Sequence, residues 1–444
     1  MQSFLNAVGS VVWGIPMLIF FLFTSLRFTL KSRFFQFTGI KKIFKLTLGS
    51  MFKEKNDGGI SQFSAFCSVL GACIGTGNIV GVATAIYSGG AGTVFWMIIS
   101  AVFSMMTAYA ENCLGVVYRR KDRYGAVTGG AFSYIENGLK MKGLAKVYAF
   151  FCLMSAVGMG NMTQSNSIAE SLKSGFSVPP VITGTVVAVL CFLIISGGVN
   201  RIAKVQTVTV PLMSLFYFII SATVIIKFRS NILPCISIIF KEAFSLKAVS
   251  GFGMYKAARY GIARGVFSNE AGLGSSTILH SQAENQNGET QGAWAILEVF
   301  IDTVLMCGVT AVVLLVGTNC NENNLYGANF SVEAYSTIGE IGKKGVAVLT
   351  GIFAFSSLAS CSFYGEKSFE YLFGKKYTKL YKLCYIVLAF SGCINSAQTV
   401  WSFADICNGL MAVPNLFAIN CLAKEVTFPN TKKRLRSRIR KEPV

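Results

Sequence analysis

Apolar runs of about 20 residues recur from one end of this chain to the other. A helix of that length is as long as the hydrocarbon core of a bilayer is thick, so each run is a candidate transmembrane helix. Hydrophobic residues make up 53% of the 444 positions and charged residues only 14%, which leaves too few polar side chains to cover a water-soluble protein of this length. The sequence therefore predicts an all-α fold, namely a polytopic membrane protein.

Eleven transmembrane helices are predicted, and they leave no length for a separate soluble domain. We number them I to XI. They cover residues 8–28, 61–87, 92–118, 145–172, 179–198, 203–227, 250–282, 291–318, 345–373, 379–395 and 397–422. Span I is expected to be a helix rather than a signal peptide, because its start lacks basic residues and its end lacks a cleavage site. One transmembrane domain is expected over residues 1–424, followed by a basic tail at 425–444.

The distribution of lysine and arginine predicts the orientation, because short cytoplasmic loops retain these residues. Basic residues alternate onto one side of the membrane: Lys31, Arg33, Lys41, Lys42, Lys45, Lys53 and Lys55 after span I, Arg119, Arg120, Lys121 and Arg123 after span III, Arg201 and Lys204 after span V, and Lys375 and Lys376 after span IX. The opposite loops contain fewer bases. This pattern places the N-terminus outside the cell and the C-terminus in the cytoplasm.

The net charge of +20 reflects these loops and a basic run, KKRLRSRIRK, from Lys432 to Lys441. A nucleic-acid-binding arm would have such a charge, but a basic run directly after a last span more often lies on anionic lipid. We therefore expect anionic lipids, and no nucleic acid, as partners of the tail. The stretch from Lys41 to Phe52 is expected to form an interfacial amphipathic helix.

The segment GACIGTGNIVG, from Gly71 to Gly81, carries four glycines inside span II. Such glycines indicate either close helix packing of the GxxxG kind or an interruption of the helix. The segment is not a dinucleotide-binding loop, because that loop follows a strand within a βαβ unit. An interrupted helix at membrane depth must bond its freed backbone groups to protein or to a ligand. Span II alone leaves packing and interruption open.

Span VII contains a second glycine-rich stretch, GIARGVFSNEAGLGSS, from Gly261 to Ser276. Spans II and VII lie five helices apart and therefore cross the membrane in opposite directions. This pattern predicts an inverted repeat of five plus five helices, at residues 61–227 and 250–422, with two discontinuous helices and with the helix at 8–28 outside the repeat. In such folds half-helix N-termini face an anionic group and freed carbonyls bind a cation, so an amino acid and a small cation are the expected ligands.

Seven stretches, two of which overlap the glycine-rich segments above, follow one another along the chain: GTGNIVGVATAI (Gly75 to Ile86), GGAFSYIENGL (Gly129 to Leu139), NMTQSNSIAESL (Asn161 to Leu172), GVFSNEAGLGS (Gly265 to Ser275), GAWAILEVFIDT (Gly292 to Thr303), FYGEKSFEYLFG (Phe363 to Gly374) and DICNGLMAVPNL (Asp405 to Leu416). Together they resemble the alanine or glycine:cation symporter family, also called sodium:alanine symporters, which has the five-plus-five inverted-repeat fold. The resemblance implies a secondary active transporter that performs sodium-coupled symport of alanine, glycine or another small neutral amino acid by alternating access, in the cytoplasmic membrane of a prokaryote.

The resemblance also implies which residues bind the substrate. In span II these are Cys73, Ile74, Gly75, Thr76, Gly77 and Asn78. Their backbone amides suit a carboxylate and their carbonyls suit an ammonium group. The other expected substrate-binding residues are Gln164 in span IV, Phe267, Ser268, Ala271 and Gly272 in span VII, and Ser357 and Cys361 in span IX. Gln164 would bond the headgroup, and Phe267 would wall the side-chain pocket.

A sodium site is implied where span II meets span IX, and no other cofactor is expected. The carbonyls of Gly71 and Ile74 would bind the ion together with the hydroxyls of Ser356 and Ser357. Oxygen ligands without a cage of carboxylates suit a monovalent ion. The alternative is structural, because serines in membrane helices often bond back to their own helix.

One departure from the family pattern concerns the substrate pocket. The family commonly has glycine and tryptophan where this chain has Ser360 and Cys361, just before the Tyr364–Glu366 motif. The loss of so large a side chain would leave space, which predicts either a substrate bulkier than alanine or a loss of the family's usual preference. Proton coupling within the same fold is the alternative mechanism. An ion channel or a membrane receptor is the alternative from another class.

Five acidic residues lie within predicted spans: Glu111, Glu270, Glu298, Asp302 and Asp405. Each is a functional candidate, because a charged residue at the bilayer centre costs about 2.5–3.5 kcal/mol on insertion scales. For Glu270, bracing the second interruption is a simpler role than binding a ligand. Glu298 and Asp302 lie on one helical face, four residues apart. They could bind a proton or a cation, but contacts with loop lysines are the simpler explanation.

The sequence argues against an enzyme. His280 is the only histidine, so a serine or cysteine nucleophile has at most one such base and a zinc site lacks ligands. The cysteines form no CxxC pair. Only Cys235 and Cys320 lie in predicted outer loops, where they could form a disulfide. A monomer suffices for the predicted transport.

Overall fold

The computed structural model describes residues 2–51, 60–121, 127–245, 253–284, 287–318 and 327–429. This part of the chain is built from helices, as predicted, apart from one hairpin in the loop after span III. The hairpin pairs β1 (Arg120–Lys121) with β2 (Val127–Thr128) in antiparallel register. The all-α prediction missed it because two-residue strands carry no periodic signal.

The α-helices of the first half are α1 (Gln2–Val12), α2 (Ile15–Lys31), α3 (Phe35–Thr38), α4 (Ile40–Leu46), α5 (Gln62–Cys73), α6 (Val82–Gly89), α7 (Gly92–Val117), α8 (Ala131–Asn137), α9 (Lys142–Val157), α10 (Thr163–Phe176), α11 (Pro180–Ile195), α12 (Gly198–Lys227) and α13 (Ile232–Ala243). Those of the second half are α14 (Gly253–Asn269), α15 (Ser276–His280), α16 (Gly288–Val299), α17 (Gly308–Gly317), α18 (Ala328–Ser336), α19 (Glu340–Phe373), α20 (Thr378–Ile394) and α21 (Ala397–Cys421). Three wider, π-helical segments, Gly77–Gly81, Gly158–Met162 and Phe300–Cys307, connect α-helices within spans II, IV and VIII.

Seven described helical segments are long and apolar enough to cross a membrane: Ser3–Lys31, Gly92–Val117, Lys142–Phe176, Gly198–Lys227, Gly288–Gly317, Glu340–Phe373 and Gln398–Glu425. The bent pair Gln62–Cys73 and Gly77–Gly89 makes an eighth if it is one span. The remaining predicted spans, V, VII and X, coincide with shorter helices, α11, α14 with α15, and α20. The polytopic character is therefore supported, whereas the predicted number of eleven is not confirmed.

Span I is attached to span XI. It consists of α1 and α2, with Pro16 in the first turn of α2. The indole Nε1 of Trp13, between the two helices, donates to the backbone oxygen of Asp405 in α21 at 2.9 Å. The helix outside the proposed repeat thus contacts the last span near one end of the molecule.

The start of α5 is held in place before the interruption in span II. Ser61 caps the helix, since its Oγ accepts from the Ser64 amide at 3.1 Å. Gln62 accepts from the indole of Trp294 in α16 at 3.2 Å, and Phe66 lies against the same indole with ring centroids 4.4 Å apart. These contacts fix α5 against α16 and so position the residues that follow.

The predicted interfacial helix is shorter than expected. α4 ends at Leu46, and a single 3₁₀ turn, Leu48–Ser50, follows it. Ile40 and Phe44 are exposed, whereas Ile43 is buried, as an amphipathic surface helix requires. Residues 52–59 and the run of basic residues at 432–441 lie outside the described residues, so the lipid contacts of the tail stay a prediction.

Only one of the two cysteines of the possible disulfide, Cys235 and Cys320, belongs to the described residues. Cys235, buried in α13, is disulfide-bonded. Cys320 lies outside the described residues, and the other described cysteines are free.

Candidate substrate and cation site

Span II is interrupted in the glycine-rich segment, as expected. α5 ends at Cys73, and the chain resumes helical geometry at Gly77, with the two parts bent by 44°. The Gly75 amide donates to Asn78 Oδ1 at 2.9 Å and to the Cys73 carbonyl at 2.8 Å. Gly77 and Asn78, two of the expected substrate-binding residues, lie in the π-helical segment rather than in extended chain. The interruption therefore covers residues 74–76.

This interruption frees two carbonyl groups at the end of α5. In a continuous helix each carbonyl would bond the amide four residues later. The Gly75 amide has other partners, and the Thr76 amide donates to Gln164 Oε1 at 3.1 Å. The carbonyls of Gly71 and Ala72 are consequently not held by their own helix.

Span IX supplies the partners of these carbonyls. Ser357 Oγ lies 3.1 Å from the Gly71 oxygen and 2.6 Å from the Ala72 oxygen. Ser356 Oγ lies 3.2 Å from the Gly71 oxygen. The two serines thus contact α5 across the helix interface, which contradicts the alternative that they bond only within α19. The structure brings together three of the four predicted sodium ligands, Gly71, Ser356 and Ser357. The fourth, Ile74, follows the end of α5 directly and is buried.

The first interruption lies in close contact with spans IV, VII and IX. A Cβ atom at Gly75 would lie 2.2 Å from Ser357 Oγ and 3.0 Å from Gln164 Oε1. A Cβ at Gly77 would lie 3.2 Å from the Ser268 Cα. Only glycine allows these approaches, since such distances are below van der Waals contact. The structure therefore brings together predicted site residues from four different spans.

Span VII is interrupted as well. α14 ends at Asn269 and α15 begins at Ser276, with left-handed backbone at Glu270 (φ 54°), Gly272 (φ 92°) and Gly274 (φ 73°). Left-handed geometry is unusual for a residue other than glycine. Glu270 therefore occupies a conformation that its surroundings must impose.

The second interruption is bonded by side chains from inside the protein. The Gly272 amide donates to Glu111 Oε2 at 3.2 Å, and its carbonyl accepts from Asn415 Nδ2 at 2.9 Å. The Ala271 amide donates to Asn269 Oδ1 at 3.0 Å, and Ser275 Oγ donates to Glu270 Oε2 at 2.5 Å. The described hydrogen bonds of Ala271 and Gly272 are thus made with residues of α7, α14 and α21, and none of them is made with the first interruption.

Phe267 and Ser268 lie at the end of α14, next to the first interruption. Phe267 is buried with Val80 and Met159 and stacks on Trp401, with centroids 4.9 Å apart and planes 22° apart. Ser268 Oγ lies 3.3 Å from Cys307 Sγ. Sequence reasoning missed Trp401, because a lone tryptophan in an apolar span carries no pattern.

An ion pair lies beside this aromatic stack. Arg264 forms a bidentate ion pair with Asp405, with nitrogen–oxygen distances of 2.9 and 2.6 Å. Its guanidinium carbon lies 5.0 Å from the Trp401 ring centroid and 5.5 Å from that of Phe267. The pair lines a cavity of about 660 Å³ at the predicted outer end, whose wall also includes Leu5, Gly9, Ser10, Trp13, Tyr87, Ser88, Arg259, Tyr260, Ala263, Gln398 and Ser402. We call this cavity the vestibule; the ion pair forms part of its wall and contacts the aromatic stack.

At the opposite end, backbone hydrogen bonds join the start of α5 to the end of span VII. The Ile60 amide donates to the Gln282 carbonyl at 3.3 Å, and the Ile60 carbonyl accepts from the Glu284 amide at 3.1 Å. Arg119 Nη1 donates to the carbonyls of Ser281 and Ala283 at 2.9 and 2.7 Å. The beginning of α5 is thereby tied to the end of span VII.

The buried acids of span VIII contact the residues on either side of the first interruption. Glu298 accepts from Cys73 Sγ at 3.1 Å and lies 3.0 Å from His280 Nε2. Asp302 Oδ1 accepts from Asn78 Nδ2 at 2.7 Å. The simpler explanation, contacts with loop lysines, is therefore wrong for these bonds. Sequence spacing placed both acids on one face, but the π-helical segment beginning at Phe300 changes the turn between them.

Cys361 lies where the family commonly has tryptophan. It is buried, and a Cβ at Gly160 would lie 2.3 Å from the Cys361 Cβ. The π-helical segment of span IV therefore approaches α19 closely at this point. Part of the volume that a tryptophan would fill is taken up by this approach.

The geometry is that of an interrupted-helix transporter, and comparison with known proteins agrees. A family model described as the sodium:alanine symporter family matches residues 1–440. The chain belongs to this family. Within it, the sodium/alanine symporter AgcS of Methanococcus maripaludis is 38% identical over 95% of this chain and 94% of its own length. The probable sodium/glutamine symporter GlnT of Bacillus subtilis is 30% identical over 96% of this chain and 89% of its own length.

A solved structure supports the fold of this symporter family member. The crystal structure of MhsT in complex with L-phenylalanine matches with a TM-score of 0.61 at 14% identity, over 82% of this chain and 89% of that chain. The predicted family and the helical transporter fold are confirmed. Membership also confirms that the chain is a transporter rather than an enzyme, and a multi-pass membrane protein of bacterial or archaeal origin.

Proposed function

We propose that this protein imports alanine, glycine or another small neutral amino acid together with sodium, across the cytoplasmic membrane, by alternating access. Family membership supports sodium and an amino acid as the transported species. The observation that carries the proposal is the pair of freed carbonyls of Gly71 and Ala72, which face the hydroxyls of Ser356 and Ser357. Oxygens of this kind are ligands for a hard monovalent cation.

The sodium ion is proposed to lie between α5 and α19, bound by Gly71, Ile74, Ser356 and Ser357. Binding there would hold the end of α5 against α19, so the ion would favour the conformation in which the first interruption is formed. A ligand shifts a conformational equilibrium only through such a difference in affinity. Sodium would thereby increase the affinity for the amino acid bound next to it.

The amino acid is proposed to bind at residues 73–78, between Gln164 and the Phe267–Trp401 stack. The amides of Gly75 and Thr76 now bond Asn78 and Gln164, and a substrate carboxylate would take over these donors. Because side chains satisfy the amides without substrate, they would not remain unpaired in either state. The hydroxyl of Thr76 is fully buried and has no hydrogen-bond partner among the described residues, so it can serve the substrate headgroup.

Alternating access is proposed to use the two ends of the site. On the predicted outer side, release of the Arg264–Asp405 pair and of the Phe267–Trp401 stack would open the vestibule to the site. On the predicted inner side, separation of Ile60 from residues 282–284 would open the other path. The two repeats, at residues 61–227 and 250–422, would move relative to each other, and one monomer would suffice.

The departure at Cys361 bears on substrate size. With cysteine there, we propose that the pocket accepts side chains larger than the alanine methyl group. The close approach of Gly160 limits the gain in volume, so medium-sized neutral amino acids are the expected upper limit. The relation to GlnT, named for glutamine, is consistent with such a range.

The test is counterflow and gradient-driven uptake in proteoliposomes with radiolabelled glycine, alanine, serine and glutamine. We expect uptake to require an inward sodium gradient and to continue when a proton gradient is collapsed. Uptake driven by protons without sodium would replace the mechanism by proton coupling, for which the buried chain Cys73–Glu298–His280 is the candidate. Substrate binding without accumulation under any gradient would indicate a channel or a receptor instead.

A further inference from the structure

Gln206, in the first third of α12, contacts the proposed cation site, although no pattern in the sequence pointed to it. Its side chain is only 1% exposed. Its Oε1 accepts from Ser356 Oγ at 2.7 Å, and its Nε2 donates to the Ser356 carbonyl at 2.8 Å and to Ser360 Oγ at 3.0 Å. Both ends of the amide are therefore engaged with α19, next to the proposed sodium ligands.

The orientation of this amide follows from its partners. The Ser356 carbonyl can only accept a hydrogen bond, so the amide nitrogen must face it. The reversed amide would place two acceptor oxygens 2.8 Å apart, without a hydrogen between them. The oxygen of Gln206 must therefore point to the Ser356 hydroxyl, as the structure has it.

The number of hydrogens on the Ser356 hydroxyl then determines whether it presents a lone pair to an ion. A serine hydroxyl has one hydrogen and two lone pairs. That hydrogen has two acceptors in reach, Gln206 Oε1 at 2.7 Å and the Gly71 carbonyl at 3.2 Å. The shorter contact is with Gln206. With its hydrogen held there, Ser356 turns a lone pair towards the Gly71 oxygen.

Ser357 acts in the same direction. Its Oγ lies closer to the Ala72 carbonyl oxygen, at 2.6 Å, than to the Gly71 carbonyl oxygen, at 3.1 Å, so its single hydrogen bonds Ala72. The Gly71 oxygen is then surrounded by hydroxyl oxygens whose hydrogens point elsewhere. Neighbouring oxygens without hydrogens between them repel each other, and a cation removes that repulsion.

The glycine at position 71 fits this arrangement. A Cβ there would lie 2.6 Å from Gln206 Cδ and 2.9 Å from Ser356 Oγ. Gly71 therefore allows α5, α12 and α19 to meet at one point, where the carbonyl, the amide and the hydroxyl converge.

We propose that Gln206 is a positioning residue that sets the sodium affinity by holding the hydrogen of Ser356 away from the ion. The inference rests on the proposed function, because it assumes that sodium binds between α5 and α19. Gln206 itself acts through Ser356. It would therefore change the affinity for the ion without changing the contacts of the amino acid.

The test compares Gln206→Leu and Gln206→Glu in the full-length protein. Leucine removes the acceptor, which frees the Ser356 hydrogen to bond the Gly71 carbonyl, so the sodium concentration for half-maximal uptake should rise about tenfold, a change of about 1.4 kcal/mol. Glutamate has the size of glutamine, and a protonated carboxyl keeps both an acceptor for the Ser356 hydroxyl and a donor to the Ser356 carbonyl, so the same concentration should stay within about twofold of the wild-type value. For both variants, the KM for alanine at saturating sodium should stay within about twofold of wild type.

Thr207→Val is the matched control, because Thr207 is the next residue of α12 and bonds to Ser64 Oγ and to the Ala203 carbonyl instead; its sodium dependence should equal that of wild type. Binding of ²²Na⁺ to the purified variants provides a readout without transport, and gel filtration shows whether each is folded. If Gln206→Leu is not folded, Gln206→Glu and Gln206→Met decide between the two roles. Equal losses in glutamate and apolar variants would reduce Gln206 to packing and overturn the inference. Sodium-independent uptake by wild type would instead overturn the proposed function.

Discussion

The two interrupted helices differ in what holds their backbone. In span II only residues 74–76 leave the helix, and two α5 carbonyls contact hydroxyls of another span. In span VII the residues from Glu270 to Ser275 leave it, with three left-handed positions and bonds to Glu111 and Asn415. Hydroxyls can exchange a carbonyl for an ion, whereas buried carboxylates and amides bonded to one another are costly to separate.

This difference indicates a division of roles. The first interruption presents groups that a ligand can take over, so substitutions there should change affinities and transport. The second is held by hydrogen bonds from buried side chains of the protein itself, so substitutions there should change stability. Both expectations can be measured independently, since affinity and thermal stability are separate observables.

The largest expected effect is at Gly75. Gly75→Ala would place a Cβ 2.2 Å from Ser357 Oγ, and an overpacking cost of about 3 kcal/mol corresponds to about a hundredfold loss of uptake. Gly351→Ala in α19 is the matched control, since no atom lies within 4 Å of its added Cβ. Both are assayed by alanine uptake at equal amounts of reconstituted protein. Normal uptake by Gly75→Ala would contradict the compactness of the first interruption.

The next effect is on stability, in the second interruption. Glu111→Ala would leave the Gly272 amide and the Asn415 side chain without their acceptor, at a cost of about 1–3 kcal/mol for each buried group. The melting temperature in detergent should fall by several degrees, while KM and the sodium dependence of the folded fraction stay unchanged. Ser104→Ala is the control, because Ser104 is buried on the same helix and bonds to its own helix. If Glu111→Ala changed the sodium concentration for half-maximal uptake, the second interruption would take part in sodium binding and the prediction would be wrong.

The interruptions could be predicted because glycines and polar residues at membrane depth have few explanations. Both were placed within a few residues of their observed positions. The partners that hold them could not be predicted: Gln206 and Trp401 are single residues without periodicity, and they meet the site only through long-range packing. The bonds of Glu298 and Asp302 were mispredicted for the same reason, since their partners Cys73, His280 and Asn78 are distant in sequence.

A smaller effect is expected for the side chain that shares the first interruption with the substrate. Gln164→Ala removes the side chain that is expected to bond the substrate headgroup once the carboxylate has taken over the Thr76 amide, and the loss of about one good hydrogen bond should raise KM for alanine about tenfold. The sodium dependence should change less than KM. Thr163→Val is the neighbouring control, because the Thr163 hydroxyl bonds to the Gly158 carbonyl of its own span. A rise in KM for both variants would point to a general disturbance of span IV.

The smallest effect is expected at Ser275, and a comparison with Ser356 distinguishes two serines that each bond to an interruption. Ser275→Ala removes the donor to Glu270 Oε2 and should lower thermal stability by about 1 kcal/mol, with no change in the sodium dependence of uptake. Ser356→Ala removes a hydroxyl of similar burial from the first interruption and should raise the half-saturating sodium concentration about tenfold. Titration of uptake with sodium, next to thermal unfolding of the same preparations, measures both quantities. If the two alanine variants changed the half-saturating sodium concentration equally, the two interruptions would differ only in geometry, and the second could bind ligands as readily as the first.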